Sequence, residues 1–133
     1  MNISYQVNAR IDPEPLCRLY QQTSWANRRL PADVAKMLSS TTLHVSAWDD
    51  GKLIGFVRSV TDGVYRALLD DVMVDAPYRG QGIGTELVRR IDSELEEVEE
   101  VFLACGDDVA SFYERLGYTR VNHPCLKKVK AGR

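Results

Sequence analysis

The chain has 133 residues, of which 44% are hydrophobic and 27% are charged, a composition typical of a globular protein. Seventeen Lys and Arg against nineteen Asp and Glu give a net charge of -2, so overall charge attracts neither nucleic acid nor an anionic membrane surface. The sequence has no signal-peptide pattern and no apolar window approaching the roughly 20 residues of a membrane span. We therefore expect one cytoplasmic domain over residues 1–133, with no nucleic-acid or membrane partner.

The cysteines and histidines predict no metal site. The three cysteines, Cys17, Cys105 and Cys125, are scattered without a CxxC pair, and we expect them to be reduced and partly buried thiols. Neither His44 nor His123 has a cysteine or an acidic residue at metal-ligand spacing.

The first forty residues predict one strand and two helices. Ile3–Val7 alternates apolar and polar side chains, which is typical of a half-buried strand. Asp12 followed by Pro13 is typical of an N-cap with proline at the first helical position, and Pro31 indicates a second helix start. The apolar faces of these two helices are Leu16, Leu19 and Tyr20, and Val34, Met37 and Leu38.

The middle of the chain predicts an antiparallel meander of three strands. Residues 43–48 and 53–60 are rich in strand-forming side chains and are joined across an Asp-Gly pair, a strong hairpin signal. A second turn at residues 61–63 leads into a third strand over residues 64–74. This third strand ends at a glycine-rich turn with Arg79 before three glycines, Gly80, Gly82 and Gly84.

The last fifty residues predict two helices and three strands. From Ile83, the apolar residues Leu87, Val88, Ile91 and Leu95 follow helical spacing. Residues 101–105 predict a short strand buried on both faces. A helix over 109–116 is capped by Asp107 or Asp108 and ends at Gly117. Two closing strands follow at 118–122 and 126–129. The order βααβββαβαββ predicts a mixed α/β (α+β) fold whose mostly antiparallel sheet of six to seven strands has helices on both faces.

The glycine turn favours binding of an anionic phosphate group. Glycines allow close backbone approach, and the first N–H groups of the following helix lack intrahelical acceptors. The spacing fits neither the dinucleotide fingerprint nor the Walker A motif. It fits Arg-x-x-Gly-x-Gly at Arg79, Gly82 and Gly84, after a strand ending Val-x-Val-Asp.

At this turn the chain resembles the GCN5-related N-acetyltransferase (GNAT) superfamily, whose acyl-CoA pyrophosphate lies on the same turn. The strand order covers nearly the whole chain, and a second motif matches at Ala110–Tyr118, like the family helix that passes beside the CoA thiol. A narrower likeness joins it to small bacterial members and to plastid arylalkylamine (serotonin) N-acetyltransferases. The resemblance implies acetyl-CoA as acyl donor, no metal, and a small-molecule or peptide amine as acceptor. It leaves monomer and homodimer open.

The same resemblance assigns positions in this sequence to the donor site. The main chain of Val72–Val74 would pair with the pantetheine arm, and Ser111 would contact pantetheine near the sulfur. Arg79 would either add charge to the pyrophosphate site or hold the loop. The residues implied around the pyrophosphate are Arg79, Gly80, Gln81, Gly82, Ile83, Gly84 and Thr85.

Three residues are the catalytic candidates. Tyr113 matches the family position for protonating the departing thiolate, although an aromatic residue near a helix end also suits core packing. For the general base, Leu68 stands where family members often carry Glu, which leaves Asp70, Asp71 or bulk water. In a regular strand Asp70 shares a face with Leu68, and a bulge would exchange the two aspartates. Strand-end solvation or a structural hydrogen bond are the other roles for this pair.

Trp25 lies in the polar stretch between the first two helices, where the family covers its acceptor. It is a candidate wall of the acceptor pocket, with capping of the sheet as the alternative. The resulting functional hypothesis is an N-acetyltransferase acting by direct attack in a ternary complex. The alternatives are a non-catalytic acyl-CoA-binding module or sensor of the same fold, and a nucleotide-binding regulator.

Overall fold

The computed structural model describes residues 1–130. Within this range the strands form one sheet in the order β1-β2-β3-β4-β5, with β1 to β4 antiparallel and β5 parallel to β4. The elements are β1 Ile3–Val7, α1 Pro13–Tyr20, α2 Pro31–Ser40, β2 Leu43–Asp49, β3 Lys52–Thr61, β4 Arg66–Val74, a 3-10 turn Ala76–Tyr78, α3 Ile83–Glu94, β5 Glu100–Phe102 and α4 Asp107–Glu114.

The predicted hairpin between β2 and β3 is confirmed. Asp50 and Gly51 have φ angles of 46° and 84°, the two positive values that a tight two-residue hairpin turn requires. The second turn is held by the Asp62 carboxylate, which accepts hydrogen bonds of 2.8 Å from the N–H groups of both Val64 and Tyr65. These turns bring β4 beside β3 and fix the meander that carries the site.

Helices cover both faces of the sheet, as predicted. α1 and α2 pack over one face around Tyr20, Val34, Phe56 and Met73. α3 packs on the opposite face, where Leu87, Val88 and Ile91 are fully buried, and α4 contributes Phe112 and Tyr113 to the edge of that core. The apolar periodicity of α3 therefore marks the face that it buries. Over residues 1–130, every helix is too short or too polar to cross a lipid bilayer.

The prediction of six to seven strands is wrong for the described residues, which contain five. Residues 118–122 and 126–129, predicted as strands, have no regular secondary structure. Their apolar side chains Val121, Leu126 and Val129 stay exposed, so burial does not offset the entropy lost on ordering a strand there.

Further boundaries differ from the sequence prediction. β5 ends at Phe102 and one of its faces is open, whereas a strand over 101–105 buried on both sides was expected. Asp107 and Asp108 lie inside the first turn of α4, whose N-cap is Gly106. α4 ends at Glu114, two residues before the predicted end at 116. Gly117 follows with a φ angle of 98°, the left-handed conformation that is typical after a helix C-terminus.

β4 carries the bulge that the sequence analysis considered. Phe56 on β3 pairs with Met73, yet Arg58 pairs with Asp70, so two residues of β4 oppose the single Val57 between them. Asp71, at this bulge, has a φ angle of 57°. Before the bulge Leu69 faces α3, whereas after it Met73 faces α1 and α2. The bulge therefore re-aims the side chains of β4 at its centre.

Candidate functional site

β4 and β5 part at the centre of the sheet. Within residues 1–130, β5 pairs with β4 only over Arg66–Leu68, although β4 continues to Val74. The main chain of β4 after Leu68 consequently has no strand partner on its β5 side. This open edge includes the predicted donor-binding residues Val72, Met73 and Val74, and it leads directly to the glycine turn.

The glycine turn has the geometry of an anion site. Gly80 and Gly82 have φ angles of 80° and 84°, and nothing lies within 4 Å of the position that a Cβ would occupy at either residue. Gly82 is the N-cap of α3, and its carbonyl accepts the Glu86 N–H at 3.1 Å. The N–H groups of Ile83, Gly84 and Thr85 therefore precede the first intrahelical hydrogen bond and can bind an anion.

Arg79 holds the turn in place. Its Nε donates to the Val74 carbonyl at 2.9 Å and its Nη2 donates to Gln22 Oε1 at 3.3 Å. Gln22 Oε1 also accepts the Ala76 N–H at 2.9 Å, and its Nε2 donates to Asp75 Oδ1 at 2.8 Å. Of the two roles considered for Arg79, this geometry supports the one in which it pins the loop.

A buried carboxylate lies at the bulge of β4. The Asp71 side chain is 0% exposed, and its Oδ2 accepts hydrogen bonds from Tyr20 Oη at 2.7 Å, Arg29 Nη1 at 2.9 Å and Arg58 Nε at 2.6 Å. Trp25 Nε1 makes a longer contact of 3.5 Å with Oδ1. The cluster joins β3, β4, α1 and the segment between α1 and α2 through one ionised group.

The surroundings of Asp71 suit an ionised structural group. Burial by itself raises the pKa of this carboxyl, but the hydrogen bond and charge of Arg58, together with Tyr20 and Arg29, bring the pKa below its usual range. A carboxylate that is stabilised in this way is a poor proton acceptor near neutral pH. Asp71 has the geometry of a positioning residue.

Asp70 differs from its neighbour in both exposure and pKa. Its side chain is 38% exposed and contacts Arg58 Nη2 through Oδ2 at 3.1 Å. Burial, and after it the charge of Asp71, raise the pKa of the Asp70 carboxyl. Because one guanidinium contacts both carboxylates, the two aspartates lie on the same side of the sheet. The expectation that a bulge exchanges them is therefore wrong: the left-handed backbone at Asp71 turns it toward the face that Asp70 already occupies.

Tyr113 on α4 lies near the same point from the other side of the open edge. Burial first, and then the nearby Cys105 and Asp70, raise the pKa of its phenol to about 12. Its ring packs edge-on against Phe112 and Tyr118, with centroids 4.9 Å and 6.0 Å away. The raised pKa keeps this hydroxyl neutral near neutral pH, so that it can act as a hydrogen-bond donor beside the open edge.

The remaining candidates lie around this centre. Trp25 is 60% exposed, and its indole N–H points at Asp71, so it flanks the aspartates from the segment between α1 and α2. Ser111 is exposed on the outer part of α4. Cys105 is exposed, as is Cys125, whereas Cys17 is buried, so the expectation of partly buried thiols is wrong for two of the three.

A cleft of about 710 Å³ lies between β5, α4 and the residues that follow α4. Tyr113, Cys105 and Phe102 are among its lining residues. A second cleft, of about 500 Å³, lies between α1 and the β2–β3 hairpin and contains neither Asp70 nor Tyr113. Residues 1–130 contain no group of three or more His, Cys, Asp or Glu arranged to hold a metal ion.

Four residues that organise the site are absent from the predicted site: Tyr20, Gln22, Arg29 and Arg58. Arg58 carries the clearest signal, because a charged residue in the otherwise apolar run 53–60 requires a buried partner. Tyr20 fits the apolar face of α1, and the sequence gives no sign that its hydroxyl has a partner 51 residues away. Gln22 stands in a polar segment where local sequence does not distinguish a structural side chain from a solvated one.

Comparison with known proteins identifies the family. The model of the acetyltransferase (GNAT) family matches residues 9–118. The chain is 33% identical over 115 residues to an uncharacterized N-acetyltransferase, ycf52-like, of Prochlorococcus marinus, covering 82% of this chain and 63% of that protein. This chain therefore spans less than two thirds of that relative's length. The chain belongs to the acetyltransferase (GNAT) family.

Two further comparisons agree with the fold and with the narrower likeness. A GNAT-family acetyltransferase structure from Streptococcus pneumoniae superposes with a TM-score of 0.84 at 22% identity, covering 98% of this chain and 99% of that one. The chain is also 31% identical over 70 residues to the chloroplastic serotonin N-acetyltransferase 2 of rice (Oryza sativa subsp. japonica), covering 51% of this chain and 35% of that protein.

Replacing Asp71 with asparagine tests its structural role. Asparagine tolerates the left-handed backbone, so the change removes mainly the charge and leaves Arg58 without its buried partner. We expect a loss of about 3–5 kcal/mol in the free energy of unfolding at pH 7, measured by urea denaturation. Asp50→Asn is the matched control, because Asp50 is exposed and also has a positive φ angle.

The pH dependence of this loss has a definite sign. The pKa of Asp71 is lower in the folded chain than in the unfolded chain, so its contribution is complete above about pH 4 and disappears as pH falls through the folded pKa. The stability gap between the wild type and Asp71→Asn should therefore narrow below pH 4. Equal urea midpoints for Asp71→Asn and Asp50→Asn at pH 7 contradict the structural role.

Proposed function

We propose that this chain is an acetyl-CoA-dependent N-acetyltransferase that moves an acetyl group to a primary amine by direct attack in a ternary complex. The observation that carries the proposal is the parting of β4 from β5 after Leu68. It leaves an open strand edge that connects Asp70 to an anion site at the N-terminus of α3. Family membership and the names of the relatives above support the same activity.

The open edge and the glycine turn fit the two parts of the donor. An extended pantetheine arm can pair with the main chain of residues 72–74 as an added strand. The space above Gly80 and Gly82, together with the first N–H groups of α3, accommodates a pyrophosphate. Arg79 then contributes by fixing the turn, and Ser111 on α4 is our candidate for a contact to the pantetheine arm.

Asp70 is the proposed general base. A primary ammonium has a pKa near 10 and must lose a proton before its nitrogen can attack a thioester. Asp70 is half-exposed, has a raised pKa and lies on the same face as Leu68, two residues earlier, where many family members carry Glu. We assign this role to Asp70 and not to Asp71, because Asp71 is buried, has three close donors and has a lowered pKa.

The remaining steps follow from the groups around the open edge. The amine nitrogen forms a bond to the thioester carbonyl carbon, and a backbone N–H near Val72 or Met73 stabilises the developing oxyanion. The C–S bond then breaks, the nitrogen loses its second proton to water, and Tyr113 donates its phenolic proton to the departing thiolate and regains a proton from water. Asp70 has by then accepted the proton of the ammonium, directly or through a water molecule.

Gly82→Ala tests the pyrophosphate site. A side chain at a φ angle of 84° is strained, and it projects into the open space where we propose that the anion binds. We therefore expect the Kd for coenzyme A, measured by calorimetry, to rise about tenfold, equivalent to about 1.4 kcal/mol. Gly63→Ala is the matched control, because Gly63 has a φ angle of 78° and equally open surroundings. Both variants carry a similar backbone strain. Equal Kd values for the two variants argue against anion binding at this turn.

Asp70→Asn tests the general base. We expect kcat/KM at pH 7 to fall about 100-fold, with the difference from wild type shrinking as pH approaches the pKa of the amine. In the wild type, kcat/KM should fall as pH drops through the raised pKa of Asp70, and this limb should be absent from the variant. Asp107→Asn is the control, since Asp107 lines the larger cleft and is almost fully exposed. An unchanged pH profile in Asp70→Asn assigns proton removal to bulk water.

Tyr113→Phe tests the general acid. It removes the proton donor and retains the ring packing, so we expect kcat to fall about 100-fold while acetyl-CoA affinity changes little. Tyr65→Phe, at an exposed tyrosine of the β3–β4 hairpin, should leave kcat unchanged. Full turnover in Tyr113→Phe removes the proposed role. Coenzyme A binding without thiol release for any amine identifies a non-catalytic binding module instead.

A further inference from the structure

α4 carries the proposed general acid, yet little of the helix itself is buried. It has 8 residues, of which Ala110 is buried. A helix of about two turns is not stable by itself in water, so its position depends on side chains that attach it to neighbouring elements. Tyr113 lies in the last turn of α4, where helices tend to fray. The position of the Tyr113 hydroxyl therefore depends on contacts outside the helix.

Two aromatic rings pack against the ring of Tyr113. The centroid of Phe112 lies 4.9 Å away and that of Tyr118 lies 6.0 Å away, both in edge-on geometry. The Tyr118 N–H also donates to the Tyr113 carbonyl at 3.1 Å. The left-handed Gly117, with a φ angle of 98°, turns the chain back so that Tyr118 contacts the end of α4 through both its main chain and its ring.

Both of these neighbouring rings are attached to α3. Phe112 Cζ lies 3.7 Å from the position that a Cβ would occupy on Gly84, in the first turn of α3. Tyr118 Oη donates a hydrogen bond of 2.5 Å to Asp92 Oδ1, and Asp92 lies near the other end of the same helix. The two attachments are therefore roughly 12 Å apart along α3, at about 1.5 Å per residue.

The bond between Tyr118 and Asp92 fixes a direction as well as a contact. Burial raises the pKa of the Asp92 carboxyl, and the hydrogen bond from Tyr118 partly offsets this rise. Burial, and after it the hydrogen bond to Asp92, raise the pKa of the Tyr118 phenol, so this hydroxyl stays protonated and can donate. A hydrogen bond has a preferred length and angle, which apolar packing lacks. Asp92 can therefore hold the Tyr118 ring in one orientation.

α3 consequently supports both ends of the proposed donor site. Its N-terminus is the proposed pyrophosphate site, and its later turns hold, through Tyr118, the residue proposed to protonate the thiolate. Pyrophosphate and thiolate belong to the same coenzyme A molecule, so the place of Tyr113 relative to α3 decides whether its hydroxyl meets the sulfur. A proton donor must lie within hydrogen-bond reach of the atom that it protonates, and a displacement of about 1 Å can lower a rate about 100-fold.

We propose that Tyr118 and Asp92 are positioning residues for acetyl transfer, because their hydrogen bond holds Tyr113 at the point where the coenzyme A thiolate departs. This inference rests on the proposed function, since it takes Tyr113 as the donor of the proton. Neither positioning residue touches the reacting atoms. Their effect on the reaction therefore passes through Tyr113.

Two variants break the hydrogen bond from its two sides. Tyr118→Phe removes the donor and keeps the ring, and Asp92→Leu removes the acceptor. With saturating acetyl-CoA and butylamine as the acceptor, we expect each variant to lower the turnover rate about tenfold. The Kd for coenzyme A should change less than about twofold, because the phosphate site lies at the other end of α3. Wild-type turnover in both variants overturns the inference.

Two further variants serve as controls. Asp92→Asn keeps an oxygen that accepts the hydrogen bond, so it should retain most of the wild-type turnover rate. Tyr5→Phe also removes the hydroxyl of a half-buried tyrosine beside α3, where Arg90 lies over its ring at 4.6 Å. Because Tyr5 is on β1, at the far edge of the sheet, this variant should leave turnover unchanged.

A double variant separates positioning from a general loss of structure. If Tyr118 acts through Tyr113, its hydroxyl has no further effect once Tyr113 is phenylalanine. We therefore expect equal turnover rates for Tyr113→Phe and for Tyr113→Phe combined with Tyr118→Phe. Additive losses contradict the inference, because they show that Tyr118 affects the reaction by another route.

NMR of the chain with ring-labelled tyrosine reports the place of Tyr113 without turnover. The Tyr113 signal is assigned by its absence from Tyr113→Phe. We expect Asp92→Leu and Tyr118→Phe to shift or broaden this signal, and Asp92→Asn and Tyr5→Phe to leave it in place. An unchanged signal in Asp92→Leu and Tyr118→Phe overturns the inference. A shifted signal together with full turnover in Tyr113→Phe supports the hold on Tyr113 and contradicts only the proposed general acid.

Discussion

The ionised Asp71 carboxylate is the group on which the arrangement of the site depends. It is buried at a bulge and is held by Tyr20 from α1, by Arg29 from the segment between the first two helices, and by Arg58 from β3. Removing a carboxylate from water is costly unless its oxygens are satisfied. The elements that surround the bulge must therefore stay where their donors reach Asp71. The same contacts leave Asp70 as the exposed member of the pair and bring it to the open edge of β4.

The fold follows from sequence wherever a periodic pattern and turn chemistry agree. The Asp-Gly turn at 50–51, the helical spacing from Ile83 and the left-handed backbone of Gly117 each have a local physical cause, and each is found where the sequence indicates it. The two strands predicted at 118–122 and 126–129 do not form in the described residues. Their β propensity is a local property, whereas a strand also needs a partner edge and buried side chains. Val121, Leu126 and Val129 obtain neither in the described residues.

Less of the candidate site than of the fold could be predicted from the sequence. The glycine turn was predictable because its geometry depends on backbone conformation, and the spacing of the glycines indicates that conformation directly. The roles of Asp70 and Asp71 depend on a bulge and on partners far away in sequence, so adjacency alone could not separate the buried acid from the exposed one. Arg58 was visible as a charge in an apolar strand, but its partner was set by the pairing of β3 with β4.

The segment that follows α1 makes contacts at both ends of the site. Gln22 is bonded to Asp75, Ala76 and Arg79 beside the glycine turn, while Arg29 is bonded to Asp71, the neighbour of Asp70. Displacement of this segment would disturb the glycine turn and the surroundings of Asp70 together. In the proposed enzyme, this segment therefore couples the affinity for the donor to the affinity for the acceptor. If the first ligand raises the affinity for the second by some factor, thermodynamic linkage requires the second ligand to raise the affinity for the first by the same factor.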